Sequence, residues 1–105
     1  MKNYCDEVIE TLNFLEGDFS KFEENFVYRN SISMDIFQIG ELANHLTTEF
    51  LTVTQNEINW HEIKGMKNRF AHGYFDMNHK VIFDTAIKDI PILNDFLTKK
   101  IDELS

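Results

Sequence analysis

Lys67-Asn68-Arg69-Phe70-Ala71-His72-Gly73-Tyr74 is the stretch of this chain whose residue types and spacing suggest chemistry. Cations, a carboxamide, an imidazole and a phenol crowd together there. The apolar pattern around them predicts a helix from Trp60 to about His72, with Gly73 as its C-terminal breaker. A histidine at a helix C-terminus feels the negative end of the macrodipole. That end stabilises the imidazolium and favours titration near neutral pH, as a general acid–base requires. Arg69, three residues before His72, shares roughly its helix face, while Lys67, five before, is rotated away. A cation near an imidazole, with no carboxylate between them, suits phosphodiester cleavage: the cation stabilises charge on the phosphate and the histidine moves the proton. The same residues also suit a solvated helix end, with Lys67 and Arg69 outward, His72 on the last carbonyls and Tyr74 packing its ring. Spacing alone leaves both open.

The elements that must position this stretch read as helices. One proline and four glycines interrupt 105 residues, which favours long helical segments. Residues 3–16 place Tyr4, Val8, Leu12 and Leu15 at helical spacing, with Gly17 as the stop. Asp18 and Ser20 are candidate caps for a new start, in which Phe19, Phe22 and Phe26 recur at three to four. Asn25–Asn30 is a weak patch, read as a kink. From about Ser31, a stripe of Ile32, Ile36, Ile39, Gly40, Ala43, Leu46 and Phe50 predicts one amphipathic helix, with Asp35, Gln38, Glu41 and Asn44 on its polar side. A mid-helix Gly40 costs about 1 kcal/mol relative to alanine, which close helix packing would offset. Thr52–Asn56 reads as a loop. Asn59, with Glu62 three residues on, forms a capping-box pattern for the helix that carries the central stretch. Asn78 is a candidate cap for a last helix along Ile82, Ala86, Ile90, Leu93, Leu97, Ile101 and Leu104, with a local kink at Pro91. The expected architecture is all-α: an antiparallel bundle of four to five helices in a single domain spanning 1–105.

Composition narrows the function classes. The formal charge is −8, from ten basic and eighteen acidic residues, and such a chain is repelled by nucleic acid overall. The charge is uneven. Residues 61–80 carry Lys64, Lys67, Arg69 and Lys80 against Glu62 and Asp76, a net +2 that leaves −10 for the rest. His61, His72 and His79 fall in the same window, so the basic island coincides with the central stretch. The acidic remainder serves solubility or attracts a basic partner protein. A lone Cys5 excludes an internal disulfide and a cysteine-rich zinc site. No apolar run approaches the roughly 20 residues of a membrane span, and the N-terminus has no signal-peptide core. The expectation is a cytoplasmic protein with no membrane partner.

Residues 59–75, Asn59-Trp60-His61-Glu62-Ile63-Lys64-Gly65-Met66-Lys67-Asn68-Arg69-Phe70-Ala71-His72-Gly73-Tyr74-Phe75, resemble the signature region of the HEPN superfamily. They resemble in particular the HepT-like toxins, whose motif reads Arg-Asn-x-x-x-His-x-Tyr. Ile39-Gly40-Glu41-Leu42-Ala43 is similar to the family's Ile-Gly-Glu-Ala segment, and Ile90-Pro91-Ile92-Leu93 to its Leu-Pro-x-Leu. The three matches keep their order and spacing over nearly the whole chain. The resemblance implies an all-α dimer whose two motifs face a shared cleft. It also implies a metal-independent endoribonuclease, without cofactor, in which the ribose 2′-OH attacks the adjacent phosphate to leave a 2′,3′-cyclic phosphate and a 5′-OH. His72 would be the acid–base, and Asn68 would orient groups or contact phosphate. The implied partners are RNA and a nucleotidyltransferase antitoxin of the MNT type, which adenylylates Tyr74. The homodimer would stand alone or enter a larger hetero-oligomer. The motif arginine is Lys67 here, and lysine lacks the planar fork that grips a phosphate. Three outcomes are open: Lys67 suffices as a point charge, Arg69 takes its place, or the chain is a weak or inactive HEPN subunit that binds its nucleotidyltransferase partner.

Other constellations carry less. His72, Asp76 and His79 stand at metal-ligand spacing, but Gly73 breaks the helix between them and only one carboxylate is present. Gly65 and Gly73 lack the phosphate-loop pattern. Cys5 reads as a core residue, and Glu41 and His45 as surface residues. Met34, Phe37, Leu42, Phe83 and Phe96 lie off the main stripes. A wide apolar face of this kind suggests a partner surface, for which a twofold dimer is the commonest solution.

Overall fold

A computed structural model describes residues 1–73 and 79–104; along 67–73 it describes the helical backbone. The described residues form helices joined by short turns, and no strand occurs among them. The all-α expectation therefore holds. In chain order the elements are α1 (Lys2–Phe14), α2 (Phe19–Glu24), α3 (Phe26–Ala43), α4 (Thr48–Thr54), α5 (Trp60–Gly73), α6 (His79–Asp84), a π-turn (Thr85–Asp89) and α7 (Ile90–Leu104). The last three run on without a break. Among the described residues no helix is long and apolar enough to cross a membrane.

α3 is the central rod. It packs against α5 on one side and α1 on another, and α1 in turn packs against the π-turn and α7. The shared core draws Cys5, Val8 and Leu12 from α1, Ile32, Ile36 and Ile39 from α3, Ile63 and Met66 from α5, and Ile82, Ala86, Ile90 and Leu93 from the C-terminal run. Cys5 is buried as a core residue, and burial pushes its thiol up to about 11.

The helix boundaries follow local chemistry. α1 ends in a Schellman turn: the Glu16 N–H donates to the Asn13 carbonyl and the Gly17 N–H to that of Leu12. Both Glu16 (φ 56°) and Gly17 (φ 63°) are left-handed, a conformation that suits glycine. The Asp18 carboxylate caps α2, accepting from the backbone N–H groups of Ser20 and Lys21. Ser20 lies inside the helix. Asn25 makes a clean boundary where the sequence suggests a kink: its Oδ1 accepts from Val27 and Tyr28, so α3 starts at Phe26, five residues before the apolar stripe becomes clear.

Further along, three sequence expectations give way. The stripe from Ile32 to Phe50 is not one helix. α3 ends at Ala43, and Phe50 belongs to α4, whose first turn is capped by Thr47 Oγ1 accepting from the Phe50 N–H. Thr52, Val53 and Thr54 are helical, so the connection expected at Thr52–Asn56 falls at residues 55–59 instead. Their β-branched side chains have modest helix propensity, and tertiary contacts at Phe50 and Thr54 override it. Finally, Phe83 and Phe96, which lie off the expected C-terminal stripe, are core residues at 4% and 6% exposure. Phe83 is buried because it packs against Phe19 and Phe22 of α2, and Phe96 because it packs against Phe50 and Trp60. In the π-turn the Ile90 N–H reaches back to the Thr85 carbonyl, five residues rather than four. That inserts a residue ahead of Pro91, whose ring an unbroken α-helix accommodates poorly. Ile101 and Leu104, on the expected stripe, are exposed.

Candidate active site

α5 carries the candidate motif, and its start is fixed by several independent contacts. Asn59 Oδ1 accepts from the Glu62 N–H at 3.2 Å, the expected cap. The Trp60 indole N–H donates to Thr54 Oγ1 at 2.9 Å, and the Thr54 hydroxyl donates to the Phe50 carbonyl at 2.7 Å. This chain is buried, which makes each member costly to lose. The Trp60 ring also lies against Phe50 (6.1 Å) and edge-on to Phe96 (5.9 Å). Together these contacts fix where α5 begins and how it is rotated about its axis.

Rotation decides which residues face outward. Ile63 and Met66 are buried and define the core side of α5. At 100° per residue, positions 61, 65, 68 and 72 fall on the opposite side, within about 40° of His72. His61 is exposed, in agreement. Position 69 lies about 60° from position 72, on the same outer half, whereas position 67 lies about 140° away toward the core flank. The helical backbone thus places Asn68, Arg69 and His72 together by register and sets Lys67 apart. The side chains of Lys67, Asn68, Arg69, Phe70 and His72 lie outside the described part of the structure, as do Tyr74, Asp76 and the expected cap Asn78.

The structure adds two features that the sequence does not reveal. The first is Asp35, expected on the polar side of α3 but buried at 6% exposure. Its burial, and then its hydrogen bond and charge repulsion with Glu7, push its carboxyl up to about 7. Oδ2 has no hydrogen-bond partner among the described residues. Because α3 is flanked by α1, α2 and α5, its buried arc is wider than a single stripe suggests. The second is an open pocket of about 560 Å³ between α4 and the start of α5, lined by residues including Gln55, Asn56, Asn59, Trp60 and His61. Elsewhere, His45 Nε2 lies 3.6 Å from the Glu41 carboxylate on the surface of α3's C-terminal end. Among the described residues no group of three or more histidine, cysteine or acidic side chains is placed to hold a metal.

An all-α bundle whose penultimate long helix contains the basic, histidine-bearing motif in its sequence fits the arrangement that the HEPN resemblance implies. Comparison with known proteins agrees: the ribonuclease HepT-like family matches residues 1–99, and the chain belongs to that family, within the HEPN superfamily. A protein described as a candidate RNase from Caldanaerobacter subterraneus subsp. tengcongensis is 30% identical over 89 residues, covering 85% of this chain and 77% of that one. A candidate ribonuclease HepT from Thermococcus cleftensis is 26% identical over 98 residues, covering 88% of this chain and 87% of its own. A candidate RNase from Methanocaldococcus jannaschii is 22% identical over 96 residues, covering 87% of each. No solved structure matches the chain significantly.

Proposed function

We propose that this protein is a HepT-like toxin: a metal-independent endoribonuclease that acts as a homodimer and is neutralised by a nucleotidyltransferase antitoxin. The observation that carries the reading is the family match over residues 1–99, in a chain whose α5 bears the basic, histidine-containing motif. The ribose 2′-OH attacks the neighbouring phosphorus while His72 handles the proton. The bond to the 5′-oxygen breaks, leaving a 2′,3′-cyclic phosphate on one product and a 5′-OH on the other. A cation stabilises the charge that builds on the phosphate oxygens. Helix register favours Arg69 for this role within one protomer, with Asn68 orienting or contacting the phosphate. Lys67 supplies a second positive charge from the flank. Support for the dimer comes from the outer side of α3, where Val27 and Met34 are 58% and 57% exposed; apolar surface of this kind is commonly covered by a second copy. In this reading the antitoxin adenylylates Tyr74, adding a bulky, negatively charged group beside His72 that excludes RNA.

A second reading, a non-catalytic HEPN subunit docked on its nucleotidyltransferase, is favoured by one observation: Lys67 stands where the family motif has arginine. Lys67→Arg separates the two. If the native protein is a ribonuclease with a weakened site, restoring the bidentate fork raises kcat/KM for single-stranded RNA by about tenfold or more. A complete lack of cleavage in both forms would favour the binding subunit. Intact mass of the protein co-expressed with its genomic neighbour tests the antitoxin directly: the reading predicts added AMP on Tyr74.

A further inference from the structure

The α4–α5 pocket and the motif lie at opposite ends of one helix face. His61 lines the pocket, and position 72 is eleven residues along the same helix. Their angular offset is only about 20°, and the rise between them is about 16 Å, a distance that a few nucleotides of extended strand can span. Gly65 stands on this stripe between them, one turn on from His61. A Cβ added at Gly65 would meet nothing within 4 Å, so the space above this helix turn is open. Lys64 and Arg69 occupy flanking positions by register. By helix register, the outer side of α5 runs from the cavity, past the room at Gly65, toward the motif positions.

The cavity has the chemistry of a base-binding site. Its volume of about 560 Å³ falls in the usual range for small-ligand pockets. Gln55, Asn56 and Asn59 bring side-chain amides to it, and each is exposed. An amide offers a donor and an acceptor, the pattern needed to read the edge of an unpaired base. Asn59 Oδ1 is occupied by the Glu62 N–H, which leaves its amide N–H groups for a ligand. Glu57 also lines the pocket, and Lys100 Nζ lies 3.6 Å from its carboxylate, so its charge is partly offset. The wall behind is rigid: Trp60 is held by Thr54, Phe50 and Phe96.

We propose that the α4–α5 pocket is a subsite for an unpaired nucleotide of a single-stranded RNA that runs along the outer stripe of α5 from the motif. The subsite rests on the ribonuclease reading for the position of the scissile phosphate, but its ligand is tested by binding alone. The sequence preference of the protein then lies partly at a base a few nucleotides from the cleavage point, read by Gln55, Asn56 and Asn59.

The test uses fluorescence anisotropy with two single-stranded RNAs whose scissile 2′-OH is removed. One is long enough to reach from the motif to the pocket, and the other is too short. The native protein is expected to bind the longer strand about tenfold more tightly. Combined Gln55→Ala and Asn56→Ala should bring the two affinities within about twofold. Gly65→Glu provides an independent check. It replaces a mid-helix glycine at a position with room for a side chain, so it should fold at least as well as the native chain. A carboxylate on this stripe should nonetheless weaken the longer strand about tenfold. Equal affinity of the native protein for both strands, or variants that keep the full length dependence, would overturn the subsite. If the native protein cleaves intact RNA but shows no length dependence, the subsite fails and the ribonuclease reading stands. If it shows the length dependence but cleaves nothing, the subsite stands and the catalytic reading fails.

Discussion

Among the described residues, two aromatic clusters at different ends of the bundle work differently. At one end Phe19 and Phe22 of α2 meet Phe83 of α6, each with its ring centroid 5.3 Å from that of Phe83. Lys80 Nζ sits 4.9 Å from the centre of the Phe19 ring. This cluster is held by area and shape, and dispersion and desolvation are not directional. At the other end Phe50, Trp60 and Phe96 meet at 5.9–6.3 Å, and a buried hydrogen-bond chain runs from Trp60 through Thr54 to the Phe50 carbonyl. Hydrogen bonds are directional, so this end fixes an orientation as well as a contact. The oriented cluster stands at the start of α5, the helix whose rotation decides what faces outward at position 72. The directional contacts thus stand at the start of the helix that carries the motif, and non-directional packing holds the opposite end.

Phe22→Ala should give the largest loss of stability, because a fully buried ring is removed from a non-directional cluster. About 3–5 kcal/mol is expected, read by urea unfolding, with residual ribonuclease activity well below the melting temperature retained by the folded fraction. Trp60→Phe should cost less, about 1–3 kcal/mol, chiefly from the buried Thr54 hydroxyl that loses its donor. It should nonetheless reduce RNA cleavage per folded molecule more than Phe22→Ala does, since it loosens the rotation of α5. Equal activity losses at matched stability would break the comparison.

A smaller effect is expected at Asp35, which belongs to neither cluster and sits on the seam between α3 and α1. Its carboxyl is raised to about 7 from an ordinary value near 4. The folded chain then holds a proton that the unfolded chain has released between about pH 4 and pH 7, so stability falls as pH rises through that window. Asp35→Asn keeps the shape and removes the titration. It should stabilise the protein by about 1 kcal/mol at pH 8 and have little effect near pH 4, measured as the shift in unfolding midpoint at the two pH values.

Much of this was legible in the chain itself. The end of α1 at Gly17, the Asp18 cap, the Asn59 cap and the core face of α5 follow from local chemistry that needs no partner. The elements that escaped depend on tertiary facts. α4 is written in β-branched residues and is helical because Phe50 and Thr54 engage Trp60. Phe83 and Phe96 are buried because α2 and the α4–α5 corner bring other aromatic rings onto them. Asp35 is buried because α3 is covered on more than one side. The α4–α5 pocket escaped for a related reason: Gln55 and Asn56 look like any polar loop until α4 folds beside α5. The motif itself was visible from residue types and spacing, whereas the separation of Lys67 from the Asn68–Arg69–His72 side rests on helix register, which the continuous α5 supports.

In the proposed reaction α5 brings His72 to a phosphodiester as its acid–base. This role is tested most directly by analysing RNA products formed in the presence of a chelator. The native protein is expected to leave 2′,3′-cyclic phosphate and 5′-OH ends, and a folded His72→Ala variant to give no such products. Cleavage that persists in His72→Ala, or that requires a divalent ion, would contradict it.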